Sequence, residues 1–281
     1  MTIQNKQEQV LCNSEYETLR KVILCEPKFM AIREVINETQ KHYTEDNIDY
    51  SLAVEQHRHF TNALREHGIE VLLIPPNPAY PEQVFTRDIG FTIGHQICVS
   101  QMARSVRKGE EVELKKILYP YPFLHIAEGM IEGGDVLVHH HTVYIGVSSR
   151  TNKQAIQYLQ KALPGYQIVP VPLQKKYLHL DCVFNILSDT EALYFPKALE
   201  KESISMLKQQ FELIEVTEEE QFTLGTNVLS IGNKTVFSLP VNQNVNKQLK
   251  NKGYTVIEVD LSEIIKSGGS FRCCTLPILR R

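Results

Sequence analysis

The 281-residue chain is 42% hydrophobic with a formal net charge of -3. That is enough apolar content for a sizeable core, and the basic residues gather in no block that would track nucleic-acid phosphates. Its polar opening from Met1 to Gln9 gives no secretory leader, no apolar run nears the roughly 20 residues a membrane helix needs, and Cys12, Cys25, Cys98, Cys182, Cys273 and Cys274 show no C-x-x-C pair or zinc-type spacing. The expectation is a cytoplasmic protein with free thiols, acting on a small polar molecule rather than on nucleic acid or a membrane; whether it forms a homo-oligomer is left open.

Residues 21–25 read as a buried strand halted by Glu26-Pro27, with Cys25 a small core residue. Leu52, Phe60, Ala63 and Leu64 then recur at helical spacing up to His67-Gly68, predicting an amphipathic helix. A strand over residues 69–74 stops at Pro75-Pro76, and the loop 77–81 delivers Phe85-Thr86-Arg87-Asp88. Strands 91–93 and 96–100 meet at Gly94-His95 as a hairpin. Hairpins recur with strands 136–138 and 143–147, 183–187 and 192–195, and 228–231 and 235–239. The last three lead into helices over 152–163, 201–211 and 242–252, and those into strands over 166–171, 213–216 and 254–259.

Turns spaced about every 45 residues mark an internal β-β-α-β repeat, about five copies with a weaker N-terminal unit. A mixed-sheet unit cannot cover both its faces alone, so arranging copies around an axis stabilises them. The prediction is a closed α/β propeller in one domain, residues 1–281, whose loops converge at the axis. Two ordinary α/β domains would leave the regular spacing unexplained.

Those loops carry the chemistry. Phe85-Thr86-Arg87-Asp88, Glu132-Gly133-Gly134-Asp135, Leu178-His179-Leu180-Asp181 and the stretch 267–277 bring one thiol, one imidazole and several carboxylates, a set suited to attack on a cationic, planar carbon. A guanidinium carbon is a poor electrophile because three nitrogens share its charge. It needs a strong nucleophile and a rigid, bidentate carboxylate grip, for which Asp88 and Glu132 are suited. Cys273 is the candidate thiolate, and in a strand at most one of Cys273 and Cys274 faces a site. In a strand His179 would face away from its flanking leucines, and alternation would place Asp181 on the same edge as a paired acid and base. His139-His140-His141 falls in a hairpin turn where three consecutive residues cannot all face one ion, so no metal is expected.

Taken in order, these stretches resemble the guanidine-modifying superfamily of arginine deiminases, dimethylarginine dimethylaminohydrolases and amidinotransferases over nearly the whole chain. The resemblance implies a five-bladed α/β propeller of the pentein type. It implies Cys273 as nucleophile, His179 as general acid/base, and Asp88 and Glu132 as guanidinium-holding carboxylates. Asp181 matches an aspartate of the deiminases and amidinotransferases, where typical dimethylarginine hydrolases look to carry lysine. Arg150, in Ser148-Ser149-Arg150-Thr151-Asn152, matches an arginine that binds the substrate α-carboxylate; Arg107 is a second candidate, and Asn227 matches a position supporting the site. The implied reaction is hydrolysis of arginine or an Nω-substituted arginine through a covalent cysteine intermediate, with no metal or organic cofactor. Amidino transfer and non-catalytic sensing of an arginine-like ligand are the alternatives.

Overall fold

In the computed structural model, which describes residues 10–281, fifteen short strands pair into five three-stranded sheets. In one, Gly90–Ile93 runs antiparallel to Gln96–Val99, which runs parallel to Phe123–His125. The same pattern holds for Val136–His139, Thr142–Val147 and Gln167–Pro172, for Phe184–Ile186, Glu191–Tyr194 and Glu212–Glu215, and for Leu229–Gly232, Thr235–Ser238 and Thr255–Glu258. A helix joins the second strand to the third each time: Glu110–Ile117, Lys153–Ala162, Lys201–Gln210 and Gln243–Asn251. The remaining sheet draws on both ends of the sequence. Leu19–Cys25 is antiparallel to Leu276–Arg280 and parallel to Glu70–Ile74, with the helix Tyr50–Glu66 between. This is the five-bladed α/β propeller expected, and the N-terminal unit looked weak in sequence because its leading strand lies at residues 276–280.

The helices sit where pattern and caps agree. Asp49 accepts from the Ser51 and Leu52 amides at the start of Tyr50–Glu66, whose Ala53, Phe60 and Leu64 are buried. Phe60 there meets Phe237 and Phe271 edge-on, tying the helix to the neighbouring blade and to the turn that carries Cys273. Helix Glu110–Ile117 escapes the pattern reading because it buries only Glu110 and Leu114 and has no apolar stripe. No helix among the described residues is long and apolar enough to cross a membrane.

Repetition has a directional consequence. Asp88, Glu132, Asp181, Asn227 and Cys273 each stand a few residues before the leading strand of a different blade, so all five are delivered to one end of the ring. The hairpin turns lie at the other end. Across that end runs residues 10–18, bridged at Leu11 to Leu279, Cys12 to Gly94 and Ser14 to His139. Gly232 makes room for it: at φ +98, a Cβ there would sit 2.5 Å from the Thr18 Cα. Glu15 points inward, taking the Val138 amide at 3.0 Å and pairing with Arg272 at 2.7 Å and Arg87 at 3.7 Å. Sequence patterning gave no sign of this plug.

Candidate active site

The nucleophile candidate is placed by backbone. Cys273 and Cys274 lie in a turn ahead of Leu276–Arg280, not in the strand itself. Arg87 donates its backbone N–H to the Cys273 carbonyl at 3.0 Å, and the Thr86 hydroxyl donates to the Cys274 carbonyl at 3.1 Å, which stitches the Asp88 loop to the thiol turn. Gly269 permits the close approach, since a Cβ there would lie 2.3 Å from the Phe85 ring and 2.9 Å from the Cys273 Cβ. Cys273 lines the pocket, whereas burial lifts the Cys274 thiol well above its ordinary range.

Asn227 touches the sulfur directly. Its Nδ2 lies 3.3 Å from Cys273 Sγ and donates to the Asp181 carbonyl at 3.2 Å, while its Oδ1 accepts from the backbone N–H groups of Arg272 and Cys273. The carboxylate of Asp181 stands 3.8 Å from the same sulfur and 3.7 Å from Arg272 Nε. The expected edge shared by His179 and Asp181 is therefore not what forms. His179 is extended, but Leu180–Cys182 turns as a single 3-10 helix, and period-2 alternation ends there. Burial raises the Asp181 carboxyl, against the lowering pull of Arg272 and His179.

His179 instead joins the other two carboxylates. Its Nε2 lies 2.8 Å from Glu132 Oε2, and its Nδ1 lies 3.6 Å from Asp88 Oδ1. The ring lies over Gly134, where a Cβ would come within 2.7 Å of Nδ1. Asp135 holds the segment behind it by accepting the Leu180 amide at 2.9 Å, a positioning role that the sequence reading did not assign. Burial alone would push the imidazole down. Asp88, the bond to Glu132 and the charge of Asp135 overcome that and raise it to about 10, so the ring is an imidazolium at neutral pH. Burial works against the Glu132 charge as well, and the bond from His179 and the charges of His179 and Arg150 hold this carboxyl low.

Both arginine candidates are buried, neither on the surface. Arg150 Nη1 lies 3.3 Å from Glu132 Oε2, its Nη2 donates to the Ile36 carbonyl at 3.0 Å, and its Nε has no partner among the described residues. Arg107 grips Glu110 through Nε and Nη2 and reaches Asp88 Oδ2 through Nη1, so its charge is already neutralised twice.

A cover that the sequence did not announce closes the pocket. Asn37 donates to the Ser267 carbonyl at 3.0 Å, and Gln40 reaches Glu82 and Ser267 at 2.7 Å each. Ile36, Asn37, Leu178 and Gly268 join Asp88, Arg107, Arg150 and Cys273 around a void of only about 10 Å³. Alongside it a groove of about 210 Å³ runs between Asn37, Lys176, Cys182 and Phe222. Donor atoms of Asp88, Glu132 and His179, and separately of Asp181, Cys182 and Cys273, fall within 4.8 Å of one another. In the first trio His179 bonds to Glu132 alone, and Asp88 stands 3.6 Å from its other ring nitrogen.

The sequence matches the family described as N,N dimethylarginine dimethylhydrolase, eukaryotic, over residues 26–280. It is 53% identical to the YkgA protein of Bacillus subtilis (strain 168), covering 100% of this chain and 99% of that one. It is 30% identical to the N(G),N(G)-dimethylarginine dimethylaminohydrolase of Mycobacterium tuberculosis, covering 92% of this chain and 86% of the relative. Among solved structures, the N-terminal domain of ArgZ, an arginine dihydrolase from cyanobacteria, superposes with a TM-score of 0.85 at 23% identity, covering 94% of this chain and 98% of that one. SxtG, an amidinotransferase from Microseira wollei, superposes with a TM-score of 0.83 at 18% identity over 97% of each chain. At these identities the two superpositions establish the fold alone.

Proposed function

Because the chain belongs to the N,N dimethylarginine dimethylhydrolase family, we propose that it hydrolyses the guanidinium group of arginine or of an Nω-substituted arginine through a covalent intermediate on Cys273. One observation carries the reading. Asp88 Oδ1 and His179 Nδ1 are buried 3.6 Å apart, and neither has a hydrogen-bond partner among the described residues. An unpaired buried acceptor is costly, and a guanidinium N–H is the donor that would satisfy Asp88 beside the thiol.

The Cys273 thiolate attacks the central carbon, and the C–N bond to the departing nitrogen breaks as His179 gives that nitrogen its proton. An amidino-thioether remains. Neutral His179 then takes a proton from water as its oxygen adds to the same carbon, the C–S bond breaks, and the thiolate returns with a citrulline-type product. Asn227 steadies the sulfur, and Glu132 keeps the imidazole in position for both transfers. The spare Nε of Arg150 suits the substrate α-carboxylate, whereas Arg107, already shared by Glu110 and Asp88, orients Asp88.

Asp181 bears on substrate choice. A carboxylate this close to Cys273 Sγ faces a terminal nitrogen of the bound guanidinium. Two methyl groups remove both donors of that nitrogen, and an unpaired buried carboxylate costs several kcal/mol. Unsubstituted arginine is therefore the better substrate. The test is kcat/KM for arginine, monomethylarginine, asymmetric dimethylarginine and agmatine, scoring citrulline, ammonia and amine, with glycine added to trap amidino transfer. No turnover of any of the four by the parent would overturn the reading, and a preference for dimethylarginine would overturn the role of Asp181.

A further inference from the structure

At the turn end of the ring, remote from Cys273, four polar side chains from three separate stretches meet. The Tyr16 phenol oxygen lies 3.3 Å from His139 Nδ1 and 3.1 Å from His140 Nε2, and it donates to Asp189 Oδ1. His140 Nε2 is 2.6 Å from that same carboxylate oxygen. The three nitrogen and carboxylate donors all fall within 4.8 Å of one another. For metal–ligand bonds of about 2.0–2.1 Å, neighbouring donors of a tetrahedral shell stand about 3.3 Å apart, so this set is already near the required spacing.

The backbone pre-sets the arrangement. His140 adopts φ 54, an unusual conformation for a residue with a side chain, and its N–H donates to the Asn13 carbonyl at 2.7 Å. That turn brings the rings of two consecutive histidines to one point, their centroids 4.8 Å apart, while His141 lies against Tyr166. Only two of the three neighbouring histidines face the cluster, and the third donor comes from the next blade's turn at Asp189. His139 is buried, and its Nδ1 faces the cluster, 3.3 Å from the Tyr16 oxygen. Its Nε2 lies 3.3 Å from Nε2 of the Gln210 side-chain amide. Exchange of that amide's oxygen and nitrogen on ion binding would let Gln210 accept Nε2–H and leave the Nδ1 lone pair facing the cluster.

We propose that His139, His140 and Asp189 form a site for one divalent transition cation, with zinc as the cation that suits two imidazoles and a carboxylate, and with the Tyr16 hydroxyl as an outer hydrogen-bond donor to Asp189. Bound there, the ion ties the turns of two neighbouring blades together and fixes the carboxylate to which Tyr16 donates, which holds residues 10–18 and the Glu15 plug in place. It lies outside the catalytic pocket and takes no part in the reaction.

The test uses the untagged full-length chain freed of metal with a chelator, titrated with Zn²⁺ in a calorimeter and with Co²⁺ in an absorption spectrometer. One equivalent should bind, raise Tm, and produce a cobalt spectrum without a thiolate charge-transfer band; Cys273→Ser should bind equally. His140→Ala and Asp189→Ala alter exposed side chains and should keep the fold by circular dichroism, keep turnover, and lose at least about tenfold in affinity. Equal zinc binding by these variants and the parent would overturn the site. So would a thiolate band that disappears in Cys273→Ser, which would put the ion at Asp181, Cys182 and Cys273, or the absence of any binding by the parent.

Discussion

The side-chain amide of Asn227 lies 3.3 Å from the sulfur of Cys273, and the oxygen of the same side chain accepts that cysteine's backbone N–H. One residue thus fixes both the position of the thiol and the partner it faces. A hydrogen bond to a charged acceptor contributes about 1.5–3 kcal/mol, so Asn227→Ala should slow both turnover and alkylation of Cys273 by iodoacetamide at neutral pH by about tenfold to a hundredfold. Unchanged alkylation would show that the amide does not support the thiolate.

Cys273→Ser should abolish turnover and Cys274→Ser should leave most of it, because Cys273 lines the pocket while Cys274 is buried with its thiol held protonated. Mass spectrometry of an acid-quenched reaction should find the amidino adduct on the peptide carrying Cys273. To separate the neighbours, the adduct should persist in Cys274→Ser and vanish in Cys273→Ser.

His179→Gln should cost about 10² to 10⁴ in kcat with substrate binding largely kept. Since the imidazole is raised to about 10, kcat/KM of the parent should fall on an alkaline limb near that pH. Stability moves with it. The folded pKa lies above the ordinary 6.5, so the imidazolium's contribution is complete below about pH 6.5 and fades as pH rises through about 10. Urea midpoints measured from pH 6 to 10 should therefore decline more steeply for the parent than for His179→Gln.

Glu15 makes the opposite prediction. Burial disfavours its charge, yet Arg272 and Arg87 more than compensate and hold the carboxyl down at about 2. With its folded pKa below the ordinary 4.5, its contribution stands in full above about pH 4.5 and is lost as pH falls towards 2. Glu15→Gln removes the nearest carboxylate from two buried guanidinium groups and should destabilise the fold by about 3–5 kcal/mol in urea unfolding at pH 7. That difference should narrow in acid.

Arg150→Ala should raise KM for arginine and leave agmatine, which lacks the α-carboxylate, nearly unaffected. An equal loss on both substrates would place Arg150 behind Glu132, which it also touches at 3.3 Å, and not at the substrate's amino-acid end.

The repeat was legible because it is local. Alternating apolar residues on either side of turns such as Gly94-His95 and residues 232–234 mark hairpins without knowledge of the rest of the chain. The loops ahead of the leading strands carried Asp88, Glu132, His179, Asn227 and Cys273, and the structure brings those residues together. What escaped depends on distant pairing or on departures from period. The partner strand of Leu19–Cys25 lies more than two hundred residues away. Nothing in the sequence around Glu15 announces its pairing with Arg272, and the cover at Ile36, Asn37 and Gln40 has no periodicity at all. Asp181 was misplaced because a single 3-10 turn after His179 undoes the alternation that sequence spacing assumes.

Cys273 stands three residues before Leu276–Arg280, the strand that completes the ring by pairing with Leu19–Cys25. Four finished blades therefore present Asp88, Glu132, His179 and Asn227 without a seated thiol. The pairing that seats it spans more than two hundred residues, so it carries one of the largest loop-closure costs in the fold. Recovered turnover during refolding therefore reports the joining of the chain's two ends.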